Sequence, residues 1–425
     1  MAHAQVGDAP RTTTAFDLAS QPPPPRIQAG TAKPPRTAPT FRAVLRHRSC
    51  GRLLIASVAG RMALGMVPVA LILTAQRDGH SLATAGLLAA LYGLCPALGL
   101  PLLGRLADQR GLPLPCHLGA ALVTTALGCL ALAGTSHLPL AAVCVVLAGA
   151  GCPPLEGALR SLWPTVLPDA AHVRTAYTLD SSTQEIVYVA GPALAVATAT
   201  CLSPAAALAL AAALTLAGSL TFATARPART WRAVPRPRDP LSVLRPAAMR
   251  PLLIALVFLG STVGALDVAA IAVAGRQGAS WLAGALPAAF SAAGLLGGVL
   301  FARFQPATAP RPRHLLWLAA VFAAGWLPLL APLPAPAVLT LTLLPGAMFV
   351  PLLTVASLTV TALAPPGTST EAVGWMSSAI RLGVAGGTAL AGPLGGHFTL
   401  PLTAAAVCTL LLTPRPAPAA ASAAA

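Results

Sequence analysis

Polar and apolar positions along this chain follow neither the strict alternation of a half-buried strand nor the narrow stripe of a surface helix. Apolar residues come instead in long blocks nearly free of charge. Each is about 20 residues, the length a helix needs to cross roughly 30 Å of hydrocarbon. About twelve such blocks stand out: Leu53–Leu73, Leu82–Leu103, Leu112–Ala133, Leu138–Leu159, Tyr177–Cys201, Pro204–Ala223, Pro251–Ala274, Trp281–Ala302, Leu315–Leu333, Ala337–Leu363, Val373–Leu394 and Leu400–Leu412. Barrel strands alternate and are shorter, so the blocks predict helices. The block at Leu400–Leu412 is short. The one at Ala337–Leu363 is long, and Pro345 or Pro351 is expected to tilt or break it.

A polar, arginine-rich connector divides the blocks into two sets of about six, which suggests an internal duplication. The expected fold is all-α integral membrane, with about twelve transmembrane helices in two six-helix halves. Residues 1–40 read as a disordered Pro/Ala-rich leader, 41–223 as the N-terminal half and 224–250 as a basic cytoplasmic linker. Residues 251–413 read as the C-terminal half and 414–425 as a disordered tail.

Composition agrees. The chain is 56% hydrophobic and 9% charged, against about 25% charged in soluble domains. The formal net charge of +16 does not point to nucleic acid, because the basic residues sit between apolar blocks rather than on one soluble face. One side receives Arg42, Arg46, Arg48, Arg52, Arg105, Arg110, Arg174, the connector, Arg303, Arg311, Arg313 and Arg415. The other side holds Arg77 and Arg276. The positive-inside rule then puts both termini in the cytoplasm of a multi-pass protein of the cytoplasmic membrane.

Enzyme chemistry finds no support. Lys33 is the one lysine and has no Gly-rich loop around it, which excludes an ATP-binding P-loop. The eight cysteines form no CxxC pair, and the eight histidines form no HExxH or metal-ligand spacing. No GxSxG occurs. Neither a metal nor another cofactor is expected.

After the second block comes Gly104-Arg105-Leu106-Ala107-Asp108-Gln109-Arg110-Gly111. This octet resembles the cytoplasmic signature between helices two and three of the major facilitator superfamily, roughly G-x-L-A-D-R-x-G-R-R. Gly104, Leu106, Ala107, Asp108 and Gly111 match, Arg110 is shifted by one place, and Leu112-Pro113 replaces the trailing basic pair. Asp108, at a membrane edge, is placed to face a helix N-terminus or an arginine. In that family the loop holds the two halves together in one state and releases them in another. Leu162-Trp163-Pro164-Thr165, Ala176 to Ser181, Gln184-Glu185 and Gly191-Pro192 resemble an actinobacterial-type branch of the same superfamily. Gly191-Pro192 is similar to its exporter signature, without the longer glycine pattern. The equivalent signature after block eight keeps Gly297, Gly298 and Arg303 but no acidic residue.

Ionisable residues within a span are costly, about 2.5–3.5 kcal/mol each at helix centre, and mark candidate solute or proton pathways. Arg61, Glu185, Tyr188, Asp267 and Arg381 are the candidates here. Ser181, Glu185 and Tyr188 share a helix face at i, i+4 and i+7, with Gln184 and Asp180 beside them. Glu185 is the expected proton carrier, with Arg61 as its counter-charge. Glu156 and Arg160, four apart, are expected to pair. The glycines of blocks eight and eleven (Gly294, Gly297, Gly298, Gly383, Gly386, Gly387, Gly392) suit close helix contacts.

The resemblance implies a secondary active transporter working by alternating access, acting as a monomer. Its expected partners are a small-molecule substrate, protons and the lipid bilayer, with no nucleic acid. Efflux of a drug-like or metabolite compound by antiport is the first reading. Nutrient uptake, or a receptor or scaffold that has lost transport, is the alternative.

Overall fold

In a computed structural model the described residues are 39–412, apart from 48, 233–238, 240, 280, 305–311, 392–393 and 395–396. The expected leader up to residue 38 and tail from residue 413 lie outside them, as do Lys33, Arg48, Arg236, Arg238, Arg311, Gly392 and Arg415.

Twelve helices follow the blocks in order: α1 (Cys50–Arg77), α2 (Thr84–Arg110), α3 (Pro113–Ala133), α4 (Leu138–Val166), α5 (Ala170–Cys201), α6 (Pro204–Ala223), α7 (Met249–Arg276), α8 (Leu282–Arg303), α9 (Arg313–Leu330), α10 (Ala335–Leu363), α11 (Ser369–Ala391) and α12 (Thr399–Leu411). Among the described residues nine of them are long and apolar enough to cross a membrane. The other three differ in instructive ways. Helix α12 has 13 residues, about 20 Å at 1.5 Å per residue. Helices α5 and α11 have ample length, 32 and 23 residues, but carry too many polar side chains. Polar residues within a span must face protein or water, so these two helices belong at the centre of the structure.

The kinks fall where sequence alone did not put them. Helix α10 stays helical through Pro345 and Pro351, contrary to the expected break. Both prolines are buried, and packing against neighbouring helices holds the chain through the missing hydrogen bonds. The interruptions occur instead at Met62 in α1, at Cys95 before Pro96 in α2, and at Gly151–Pro154 in α4. In α2 and α4 a proline removes an amide donor and presses on the carbonyl four residues back.

Buried apolar side chains gather in separate clusters. One is drawn from Val243 to Cys408, and two from the region Val44 to Ala228. Large apolar side chains such as Ile55, Leu87, Leu98, Leu132 and Trp317 lie exposed on outward helix faces. That is the surface lipid covers and water would not tolerate. Helices α1 and α5 cross where Gly65 meets Gly191 and Pro192. Helices α7 and α11 cross where Gly383 and Gly387 meet the backbone at Val257 and Ser261. A methyl group at either glycine of α11 would strike a carbonyl oxygen, so small residues are what let the backbones touch. The two sets of helices join through α2 against α11 and α5 against α8.

At the ends of α1 and α3, away from the octet, Asp78 ties two loops together. It accepts from the Thr135 amide at 2.5 Å and from its hydroxyl at 2.7 Å. Burial raises the Asp78 pKa, but the two Thr135 bonds and the nearby His80 and Arg77 together hold it below the ordinary carboxylate value.

Candidate functional site

Helix α5 begins at Ala170, not near Tyr177, so Asp180 lies well inside it. Asp180 is completely buried and binds two arginines at once. Its Oδ1 accepts from Arg61 Nη2 at 2.9 Å, and its Oδ2 from Arg160 Nε at 2.7 Å. Arg61 also donates to Gln184 Oε1 at 2.8 Å, to the Thr183 hydroxyl at 3.3 Å and to the Ser57 carbonyl at 3.3 Å. The expected pairing of Arg61 with Glu185 is therefore not made. The reason is helical geometry: Asp180, Thr183 and Gln184 share the face turned to α1, and Glu185 is rotated about 100° from Gln184.

Glu156 and Arg160 do pair on α4, Nη1 to Oε1 at 3.0 Å. The pair reaches across to the other set of helices. Arg160 Nη1 donates to the Ser357 hydroxyl of α10 at 3.0 Å, and Ser377 of α11 donates to Glu156 Oε2 at 3.1 Å. The result is a buried chain of alternating charge, Arg61–Asp180–Arg160–Glu156, with no net charge and with both ends of its second arginine salt bridge tied to the facing bundle. Tyr177 covers it, its ring 5.8 Å from the Arg160 guanidinium carbon. Sequence reading passed over Asp180, Ser357 and Ser377 as site residues. The signal for Asp180 was its i, i+4 spacing to Gln184; the two serines carry no signal outside the fold.

The octet forms a latch. Asp108, buried near the end of α2, accepts from the amides of Thr370 at 3.2 Å and Glu371 at 2.8 Å, the first turn of α11. A carboxylate there caps unpaired amides and meets the positive end of the helix dipole. Gly104 permits the approach: a Cβ at this position would lie 2.8 Å from the Thr370 carbonyl. Gly111 ends α2 at φ +90°, the left-handed region open to glycine. Arg105 is half-buried on α2, and Arg110 is exposed at its last turn.

Beyond the latch and the charge chain lies a cavity of about 880 Å³ between the two sets of helices. Glu185, Tyr188, Asp267 and Arg381 all line it, so four of the five pathway candidates meet there and Arg61 does not. Glu185 faces α8, with a hydrogen bond from Ser291. Asp267, on α7, is exposed to the cavity space, as is Tyr188. From Thr370 at the latch to Arg381 is about 16 Å along α11 at 1.5 Å per residue. The latch, the charge chain and the cavity thus succeed one another along α11. The apolar walls include Leu64, Val263, Leu266, Phe290, Phe349 and Leu353. Among the described residues no group of histidine, cysteine or carboxylate side chains is placed to hold a metal ion.

The profile of the Major Facilitator Superfamily matches residues 53–388. Among solved structures, the human organic anion transporter MFSD10 (TETRAN) superposes with a TM-score of 0.66 at 15% identity, over 85% of this chain and 98% of that one. A bacterial homologue of the iron transporter ferroportin, in an outward-facing state, superposes with a TM-score of 0.67 at 13% identity, over 85% and 98%. No curated protein sequence matches significantly.

Proposed function

The chain belongs to the Major Facilitator Superfamily, and from that premise we propose that it is a secondary active transporter that exports a drug-like or metabolite solute in exchange for protons. The observation that carries this reading is the cavity of about 880 Å³ closed at one end by the Asp108 latch. Its volume matches sites for drug-sized molecules, about 300–1,000 Å³. A transporter that alternates access needs a gate at each end of such a cavity, built from contacts that can be made and broken. The latch and the Arg160–Ser357 and Glu156–Ser377 contacts join the two bundles at that end of the cavity, as a closed gate does.

The arginine distribution puts the latch on the cytoplasmic face. The conformation is then closed to the cytoplasm, with the cavity toward the outside. Reporter domains fused after Ala228 and after Leu412 should both read cytoplasmic, and an external signal from either reverses the assignment of sides.

The gate predicts a mutant phenotype. Hydrogen bonds to a charged group contribute about 1.5–3 kcal/mol, so losing the Asp108 pair should shift the gate equilibrium roughly tenfold to hundredfold. Asp108→Ala in proteoliposomes should lose most of its solute flux while inserting and purifying like the parent. Flux equal to the parent would remove the gating role from the octet. Gly191-Pro192 supports the export direction through its resemblance alone, and the direction of flux under an imposed proton gradient decides it.

A further inference from the structure

Arg381 differs from the other intramembrane arginines. Arg61 and Arg160 are each saturated by carboxylates and hydroxyls. Arg381 makes no ion pair or hydrogen bond among the described residues, and its Nε is buried without a partner. It stands in the wall of the large cavity, half-buried, on the stretch of α11 that follows Ser377. The titratable groups that act on it are Tyr188, Cys152, Glu156 and Tyr92. Three of these are tyrosine or cysteine side chains rather than carboxylates, and Glu156 is already committed to Arg160. An unpaired guanidinium in a cavity with largely apolar walls is expensive to keep. The one carboxylate acting on it, Glu156, is bound to Arg160 and makes no ion pair with Arg381.

We propose that Arg381 is the anchor for the cargo, binding an oxyanion group (a carboxylate, sulfonate or phosphate) on an otherwise apolar organic molecule. This rests on the transport reading for its consequence, but not for the binding itself. The guanidinium offers five donors in a planar fork that matches a carboxylate or phosphate edge in bidentate fashion. The apolar body of the cargo meets Phe290, Phe349, Leu353, Val263 and Leu266 on the surrounding walls. A neutral cargo leaves the Arg381 charge uncompensated, and a purely cationic one adds to it. Glu185 and Asp267 stand on α5 and α7 in the same cavity and do not pair with Arg381. They leave room for a second, proton-donating group on the cargo but cannot substitute for an oxyanion at the guanidinium.

Three probes of one shape test this: 2-naphthoate, 2-naphthamide and 2-(aminomethyl)naphthalene, each titrated into the purified full chain while thermal unfolding is followed. A ligand that binds the folded protein stabilises it by RT ln(1 + [L]/Kd), so at equal concentration the tighter probe raises the melting temperature more. Naphthoate should bind more tightly than the amide by roughly tenfold to hundredfold, the ratio expected for charge-assisted bonds. Arg381→Gln should erase that preference, and Arg381→Lys, which keeps the charge but loses the fork, should retain part of it. The ligand-free Arg381→Gln protein should melt at or above the parent, because an unpaired buried charge has been removed; a structural ion-pair role predicts a lower melting temperature. Equal stabilisation by acid and amide, a stronger effect of the amine, no stabilisation by any of the three, or an undiminished preference in Arg381→Gln each overturns the anchor. Proteoliposome exchange of naphthoate separates the two readings. Arg381-dependent binding without exchange keeps the anchor and defeats transport, whereas exchange that prefers the acid over the amide as strongly in Arg381→Gln as in the parent keeps transport and defeats the anchor.

Discussion

Asp180→Asn should destabilise the folded protein more than any other single change considered, by about 3–5 kcal/mol, the range for breaking a buried ion pair from one side. Asp180 is fully buried and is the common acceptor of Arg61 and Arg160. Removing its charge leaves two guanidinium groups sharing one neutral amide oxygen. Arg160 keeps Glu156 at 3.0 Å, but Arg61 has no second carboxylate among the described residues. Melting of detergent-purified Asp180→Asn, Arg61→Gln and the double variant reads this directly. The double variant should be more stable than the sum of the two single losses, because the second change removes the charge that the first orphaned. An Asp180→Asn protein that melts with the parent would mean that the charge chain contributes little to folding.

Glu185→Gln should show the opposite profile, with intact stability and lost energy coupling. Among the described residues Glu185 has no arginine partner; it lies in the cavity wall with the Ser291 hydroxyl beside it. The amide keeps the shape and the hydrogen-bonding oxygen, so unfolding should shift by less than about 1 kcal/mol, as for a change that orphans no charge. If Glu185 carries the coupled proton, flux driven by a proton gradient should fall to the background of empty vesicles while solute exchange without a gradient persists. An intramembrane carboxylate without a counter-charge suits that task, since it can be held neutral in one state and release its proton in another. Gradient-driven flux at the parental rate in Glu185→Gln would pass the role to Asp267, the other carboxylate in the cavity wall that has no arginine partner. The two variants together divide the polar residues of α5 into a part that holds the bundles and a part that works in the cavity.

That division could not be read from the chain. What the sequence determined by itself was set by solvent. Blocks such as Pro204–Ala223 and Pro251–Ala274 have no stable home outside hydrocarbon, so their order and helical form follow from length and apolarity alone. The octet around Asp108 was legible through its resemblance to the family signature, which left a helix N-terminus or an arginine as the partner; the fold supplies the first turn of α11. Pairing within one helix was also legible, because Glu156 and Arg160 are fixed neighbours by the helical repeat.

Tertiary structure alone decided which charge meets which across helices. Asp180 and Glu185 look alike in sequence, two acids on one polar helix. Their surroundings differ because helix rotation turns Asp180 toward Arg61 and Arg160 and turns Glu185 toward α8 and the cavity. A shift of the α5 start by about two turns was enough to move Asp180 from an apparent helix end to the buried centre. The same holds for Arg381. Its sequence neighbourhood on α11 is no different from that of a paired arginine, and only the arrangement of the other eleven helices leaves it facing open space. Long-range contacts are set by the packing of whole helix faces and not by local propensity, so a side chain's partner is a property of the assembled bundle.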